Sequence, residues 1–153
     1  MFREMRRKKQ QLTQQECIDI LDKGSCGVLS LLGEDGYPYG VPMSYVYSNG
    51  RLYFHCAKAG HKLDAVREYN KASFCVVAQD DVVPEKYTTI YRSVIAFGQI
   101  EELQAGPRPQ EVQEAIELLC GKYCPDQTAE ETSNEIAPAL GRLCILQMNI
   151  QHL

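Results

Sequence analysis

Three apolar runs lie so close together between Cys26 and Cys56 that no helix fits between them, and this spacing constrains the fold more than any other feature of the chain. The runs Cys26 to Leu32, Tyr39 to Tyr47 and Arg51 to Cys56 are separated by turn clusters that include Gly33-Glu-Asp-Gly36 and Ser48-Asn-Gly50. Connections this short join antiparallel strands, because a parallel crossover needs a dozen residues or more. An antiparallel meander is therefore expected. Pro42 interrupts the middle run and lacks a backbone N–H, so it belongs at an edge, a bulge or an opening that faces a ligand.

The rest of the chain adds three strands and four helices. Thr13-Gln-Gln-Glu16 is a capping-box pattern, and it opens a short helix whose Cys17, Ile18 and Leu21 share one face until Gly24 ends it. A helix from His61 to Tyr69 follows the third strand. Ala72 to Gln79 reads as a buried strand and Tyr91 to Glu102 as a long alternating one, with a polar loop containing Asp80, Asp81 and Pro84 between them. Val112, Ala115, Ile116 and Leu119 recur at helical spacing within Gln110 to Cys120; Ala129 to Leu140 is a weaker helix, and Arg142 to Ile150 a final strand. Six strands with helices confined to a few connections point to a mainly β fold with peripheral helices, a small antiparallel barrel.

At 153 residues the chain suits one core. Residues 12–153 are read as a single domain behind a basic arm, residues 1–11. Arg3, Arg6, Arg7, Lys8 and Lys9 against Glu4 give that arm +4, which leaves −8 for the remainder of a chain whose net charge is −4. An acidic body with its basic residues confined to one arm does not suggest a nucleic-acid binder; the arm reads as a solvated or dimer-wrapping segment. No apolar run is long enough to span a membrane, and the first residues lack the pattern of a secretory signal, so a cytoplasmic location is expected. The seven cysteines are an odd set, several of them inside apolar stretches, and reduced thiols are expected. Cys120 and Cys124 fall on one helix face, and His55, Cys56 and His61 lie elsewhere in the chain, but no second closely spaced cysteine pair completes a tetrahedral set. No metal site is expected.

The segment from Leu52 to Arg67 carries the most chemistry. An apolar strand ends at His55, turns through small residues and enters a helix beginning at His61 and Lys62. Gly60 lets a ligand approach the backbone, and free N–H groups at a helix start, with the Lys62 ammonium, suit a dianionic phosphate. The bland alternative is a strand, a turn and a helix with a solvated lysine. The spacing is not that of a P-loop, since Leu63 follows the lysine. His55 is either a hydrogen-bonded strand-end histidine or a site residue, and His61 is as readily a cap or a solvated side chain as a phosphate contact. The tyrosines at 37, 39, 45, 47 and 53 suit a core or an interface. Arg92, inside an apolar strand, requires a carboxylate, a carbonyl or a ligand as partner.

Taken together, Tyr37 to Val46, Tyr53 to Lys62 and Tyr91 to Val94 resemble the FMN-binding split-barrel superfamily, and within it the nitroimidazole-resistance branch related to pyridoxamine 5′-phosphate oxidase. The similarity runs from about Met5 to about Leu146. It implies a six-stranded antiparallel split β-barrel of the FMN-binding type. It also implies that Val41, Pro42, Met43, Ser44 and Tyr45 lie along the isoalloxazine ring, mostly through backbone groups, and that Phe54 and His55 border the flavin. Gly60, His61 and Lys62 would hold the FMN phosphate, and Tyr91, Arg92 and Ser93 would reach the flavin from the second subunit of a homodimer. A flat apolar strand surface, fixed donors at the ring edges and positive charge at the phosphate are what such a cofactor needs.

Two departures from the oxidase pattern narrow the expectation. His61 stands where the oxidases carry a basic phosphate-binding arginine, and Asn149 to Leu153 does not resemble their basic, proline-containing substrate segment. Pyridoxamine phosphate is therefore not the expected substrate. The resemblance implies instead an FMN-dependent oxidoreductase that passes electrons, from a reduced nicotinamide or another donor, to a small acceptor such as a nitroaromatic compound, with His55 as the catalytic residue. The alternative is a non-catalytic flavin-binding or flavin-sensing protein.

Overall fold

A computed structural model describes residues 1–139 and 142–153. The helices are α1 (Gln14–Lys23), α2 (His61–Glu68), α3 (Pro109–Tyr123) and α4 (Ala129–Ala139). The strands are β1 (Cys26–Leu32), β2 (Pro38–Ser44), β3 (Val46–Ser48), β4 (Arg51–Ala57), β5 (Lys71–Val83), β6 (Thr88–Leu103) and β7 (Leu143–His152). Among the described residues the strands form one sheet, ordered β2-β1-β5-β6-β7-β4-β3, and every pairing is antiparallel.

The fold class is as expected, but the strand count and closure are not. The run from Tyr39 to Tyr47 is divided at Tyr45 into β2 and β3, so there are seven strands rather than six, and they make an open sheet rather than a closed barrel. The expected three-strand meander is likewise two hairpins, β1–β2 and β3–β4, whose outer strands end up on opposite edges of the sheet. Those edges are joined by one residue, Tyr45, and a single residue bridges only about 7 Å. The sheet must therefore curl until its two edges meet along a seam, an arrangement consistent with a split barrel. Pro42 lies in edge strand β2, where its missing N–H costs no ladder bond to a further strand.

The hairpin β5–β6 also extends further than its sequence suggests. Asp80 and Asp81 pair with Tyr91 and Ile90 across the ladder, beyond a bulge between Val77 and Gln79, and the true connection is a single turn at Pro84–Lys86. Residues 80–82 and 84–92 are exposed, so the polar side chains that look like loop are compatible with a solvated two-stranded ribbon.

Two apolar layers hold the fold. Inside the curl, Leu29, Phe54, Phe74, Ile100, Leu146 and Met148 meet α2 through Leu63, Ala65 and Val66 and meet α1 through Cys17, Ile20 and Leu21. The capping box of α1 is formed in both directions: Glu16 Oε2 accepts from Thr13 N at 2.8 Å, and Thr13 Oγ1 accepts from Glu16 N at 3.3 Å. Ile20 rather than Ile18 completes the buried face of α1, as the 3.6-residue period from Cys17 requires. On the outside, Val112, Ala115, Ile116 and Leu119 of α3 and Ile136 of α4 cover Val46, Tyr53 and Ile145. The expected strand from Arg142 begins at Leu143 and runs to His152; Leu140, in the expected weak helix, lies outside the described residues.

The seam is closed by side chains at the end of α3. Tyr123 Oη accepts from the backbone N–H of Tyr45 at 2.9 Å, and it lies 2.7 Å from the Tyr45 carbonyl and 2.5 Å from that of Ser25, either of which takes its one proton. Tyr45 is fully buried, and its phenol donates to the Leu21 carbonyl at 2.6 Å; burial, above all, raises the phenol well above the usual tyrosine range, so the donor stays protonated. Lys122 Nζ donates to the Gly24 carbonyl at 2.5 Å and lies 4.0 Å above the Tyr45 ring. A Cβ on Gly24 would come within 2.5 Å of the Tyr45 hydroxyl, so only glycine fits there. Replacing Tyr123 with Phe leaves the Tyr45 N–H without its partner and is expected to destabilise the protein by about 1–3 kcal/mol, read as a lower urea midpoint with an unchanged slope.

Candidate functional site

The start of α2 has the geometry that the sequence leads one to expect. Gly60 adopts φ 131° and ψ 170°, a backbone region open essentially to glycine alone, and no atom lies within 4 Å of where a Cβ would point. Its carbonyl accepts from the N–H groups of Leu63 and Asp64 at 3.0 and 3.2 Å. The N–H groups of His61 and Lys62 belong to the first turn, have no carbonyl behind them in the helix, and receive no side-chain cap from Gly60. Two donors and the Lys62 ammonium thus gather at one helix start. The His61 ring stacks on Tyr39 of β2, with centroids 4.2 Å apart and planes 22° from parallel. That contact ties the start of α2 to the β1–β2 hairpin and gives His61 a role the sequence did not suggest.

Strand β2 runs along the seam beside this corner. Tyr39, Val41 and Met43 alternate with the exposed Gly40, Pro42 and Ser44, and Met43 and Tyr45 are buried in the inner core. Across the seam β2 approaches β4, on which Phe54 is fully buried inside while the exposed His55, opposite Ile145, points to the other face. Any ligand against this surface meets Pro42, Ser44 and His55 by side chain, and Met43, Tyr45 and Phe54 only by backbone. The structure therefore brings β2 and β4 together across the seam and sets the start of α2 against Tyr39.

Tyr91, Arg92 and Ser93 are not part of that corner. They lie on β6, which is separated from β2 by β5 and β1. Tyr91 is exposed and Ser93 is half-buried opposite Val77; Arg92 is exposed rather than buried in its strand, so it does not require a partner, though it lies 3.7 Å from the Glu16 carboxylate. The Glu16 carboxyl is held below its usual range chiefly by the Thr13 N–H and hydroxyl, with Arg92 adding less. Arg92 and Glu16 line a cleft of about 740 Å³ between α1 and the β5–β6 bulge, together with Asp19, Lys23 and Gln79. A second cleft, of about 570 Å³, lies where the basic arm crosses β6 and Phe2 stacks on His152 at 4.8 Å. Neither includes the seam corner.

The outer face of β1, β5 and β6 is the feature that reading by alternation missed. Val28, Cys75 and Ile95 form one row across three strands, and Val28, Val77, Ile95 and Phe97 are all more than a third exposed. The signal was present in the sequence: Val76-Val77 and Ile95-Ala96-Phe97 are apolar on both faces, as in strands covered on two sides. Among the described residues no group of three or more His, Cys, Asp or Glu side chains is placed to hold a metal ion, and no helix is long and apolar enough to cross a membrane.

Comparison with known proteins places this architecture. The family model for pyridoxamine 5′-phosphate oxidase matches residues 13–144, and the chain belongs to that family. Similar solved structures include a provisionally named 5-nitroimidazole antibiotic resistance protein from Bacteroides thetaiotaomicron, 20% identical, with a TM-score of 0.76 over 92% of this chain and 81% of the other. A FAD-binding protein from Mesorhizobium loti is 24% identical, with a TM-score of 0.66 over 92% of this chain and 91% of its own. A FAD and heme binding protein from Mycobacterium smegmatis is 20% identical, with a TM-score of 0.67 over 92% and 67%. At these identities the likeness is one of fold. None of the curated proteins compared with the chain matches it.

Replacing Gly60 with Ala tests the strained corner directly. The space is open, so the cost is conformational, of order 1–3 kcal/mol. Thermal unfolding of the variant is expected at lower temperature than the parent, and an unchanged midpoint would show that α2 starts equally well without a glycine.

Proposed function

We propose that the seam corner binds FMN and that the protein is an FMN-dependent oxidoreductase acting on a small acceptor, with nitroaromatic compounds as the class. The observation that carries this reading is the start of α2: two unpartnered backbone N–H groups and a lysine beside a glycine in a conformation reserved for glycine. Such a donor set suits a phosphate dianion, and it stands at the end of the strand that borders the remaining surface. Flavin as the cofactor class is supported by family membership and by relatives described as FAD-binding; FMN is favoured by the single phosphate-sized cradle. A relative named for 5-nitroimidazole resistance supports the acceptor class.

In this reading Gly60, His61 and Lys62 hold the phosphate, and the backbone of Val41–Tyr45 supplies a flat wall with Pro42 and Ser44 outermost. The flavin, when bound, supplies two-electron redox chemistry between a donor such as a reduced nicotinamide and the acceptor. His55 has an exposed imidazole on β4, free to carry a proton on a ring nitrogen toward the reacting groups. The site is completed by a second copy of the chain. The apolar outer face of β1, β5 and β6, with Val28, Val77, Ile95 and Phe97 exposed, is the surface that receives it, and the Tyr91–Ser93 segment, remote from the corner within its own chain, is the part offered across that interface.

Substituting Lys62 with Ala removes one charge-assisted contact of ~1.5–3 kcal/mol and is expected to weaken FMN by roughly ten- to a hundredfold while leaving riboflavin nearly unaffected. Flavin titration by fluorescence reads both, and equal losses would take Lys62 out of the phosphate site. Steady-state reduction of nitroaromatic acceptors with reduced nicotinamides tests the activity itself; tight FMN with no turnover for any pair would make the protein a flavin carrier or sensor instead. His55→Ala is expected to retain FMN while lowering turnover by about ten- to a thousandfold and flattening its pH profile. Parent-level turnover with an unchanged profile would reduce His55 to a wall of the site.

A further inference from the structure

Cys56 of β4 stands directly opposite Cys144 of β7 in the antiparallel ladder. Directly opposed residues keep their Cα atoms about 4.5–5.5 Å apart, inside the range that a disulfide spans. Both side chains project to the inner face, since Cys144 belongs to the inner core and Cys56 rests against it. The Cys144 thiol donates to the Ile145 carbonyl at 3.8 Å. Cys144 is 3% exposed, whereas Cys56 is half-buried near the end of its strand. Charged groups frame the pair: Lys62 lies near Cys56, and Glu102, held by Arg67 at 2.9 and 3.1 Å, lies near Cys144.

We propose that Cys56 and Cys144 are a reversible redox site, at which Cys56 attacks a low-molecular-weight disulfide of the glutathione class and Cys144 resolves the adduct into a cross-strand disulfide. The roles follow from exposure and charge. The Cys56 thiol is held below its usual range, first by the neighbouring Cys144 thiol and, against the opposing effect of burial, by Lys62. Cys144 is pushed the other way by Cys56, by burial and by Glu102. In the first step the Cys56 thiolate bonds to one sulfur of the incoming disulfide, whose S–S bond breaks and releases a thiolate. In the second the Cys144 proton passes to the nearby Glu102 carboxylate, the Cys144 sulfur bonds to the Cys56 sulfur, and the second small thiolate leaves. Two protein thiols are oxidised by two electrons, the small disulfide is reduced to two thiols, and the two protein protons end on those thiols.

Lys62, which lies near Cys56, is also the lysine assigned to the flavin phosphate, so the test uses the full chain with no flavin bound. The protein is equilibrated with oxidised glutathione at neutral pH, alkylated, digested and mapped by mass spectrometry. The expected result is a peptide pair linked through Cys56 and Cys144 with the loss of two hydrogens from the intact mass, reversed by dithiothreitol. Cys144→Ser is expected to trap a glutathione adduct on Cys56, and Cys56→Ser to leave Cys144 alkylated as a free thiol. Adducts spread over the exposed Cys26 and Cys124 without a Cys56–Cys144 link would overturn the proposal. So would a parent chain in which both cysteines remain free.

Discussion

Everything about this architecture depends on one residue that belongs to neither of the strands it joins. Tyr45 carries the chain from one edge of a seven-stranded sheet to the other, so the sheet closes on itself only if Tyr45 is held in place. Its backbone N–H and carbonyl both face the Tyr123 hydroxyl, its ring lies under Lys122, and its own hydroxyl reaches the last turn of α1. A helix far along the chain thereby locks the seam. Partly buried polar groups paired in this way favour one arrangement over others, because a slip leaves the buried Tyr45 hydroxyl and the Tyr45 N–H without partners.

The candidate site follows from that closure. Strand β2 would be a bare edge in a flat sheet; in the curled one it lies beside β4 and the start of α2, and the stack of His61 on Tyr39 joins the two sides of the seam. Helix α2 is short, and its own propensity does not hold it. Leu63, Ala65 and Val66 anchor it in the inner core, so its open N-terminus is presented rigidly to the outside. A rigid frame that offers backbone donors at a seam is suited to gripping a cofactor whose chemistry is its own. The dithiol of Cys56 on β4 and Cys144 on β7 begins a few residues before that grip, on the opposite face of β4 from His55.

Much of this was legible in the residues. The capping box at Thr13, the face of α3 and the glycine before Lys62 each follow from local rules that the tertiary structure did not override. The misreadings have a common cause. Tyr39 to Tyr47 alternates as one strand would, and only the change of ladder partner at Tyr45 divides it. Asp80 and Asp81 look like loop because a solvated ribbon and a loop share the same polarity. Cys56 and Cys144 are far apart in sequence, and nothing local in either announces that they will be opposed.

The sequence by itself determined the antiparallel class, the approximate places of the four α-helices, and the chemistry available at Gly60, His61 and Lys62. These depend on periodicity, on capping and on short connections, all of which act within a few residues. Only the tertiary structure decided that the two edges meet, that α3 supplies the clamp, that Tyr91 to Ser93 stand away from the corner they resemble partners of, and that the outer face of β1, β5 and β6 is left apolar and uncovered. Those outcomes rest on contacts between residues distant in the chain, where pairing register and burial choose among arrangements that local preference leaves equal.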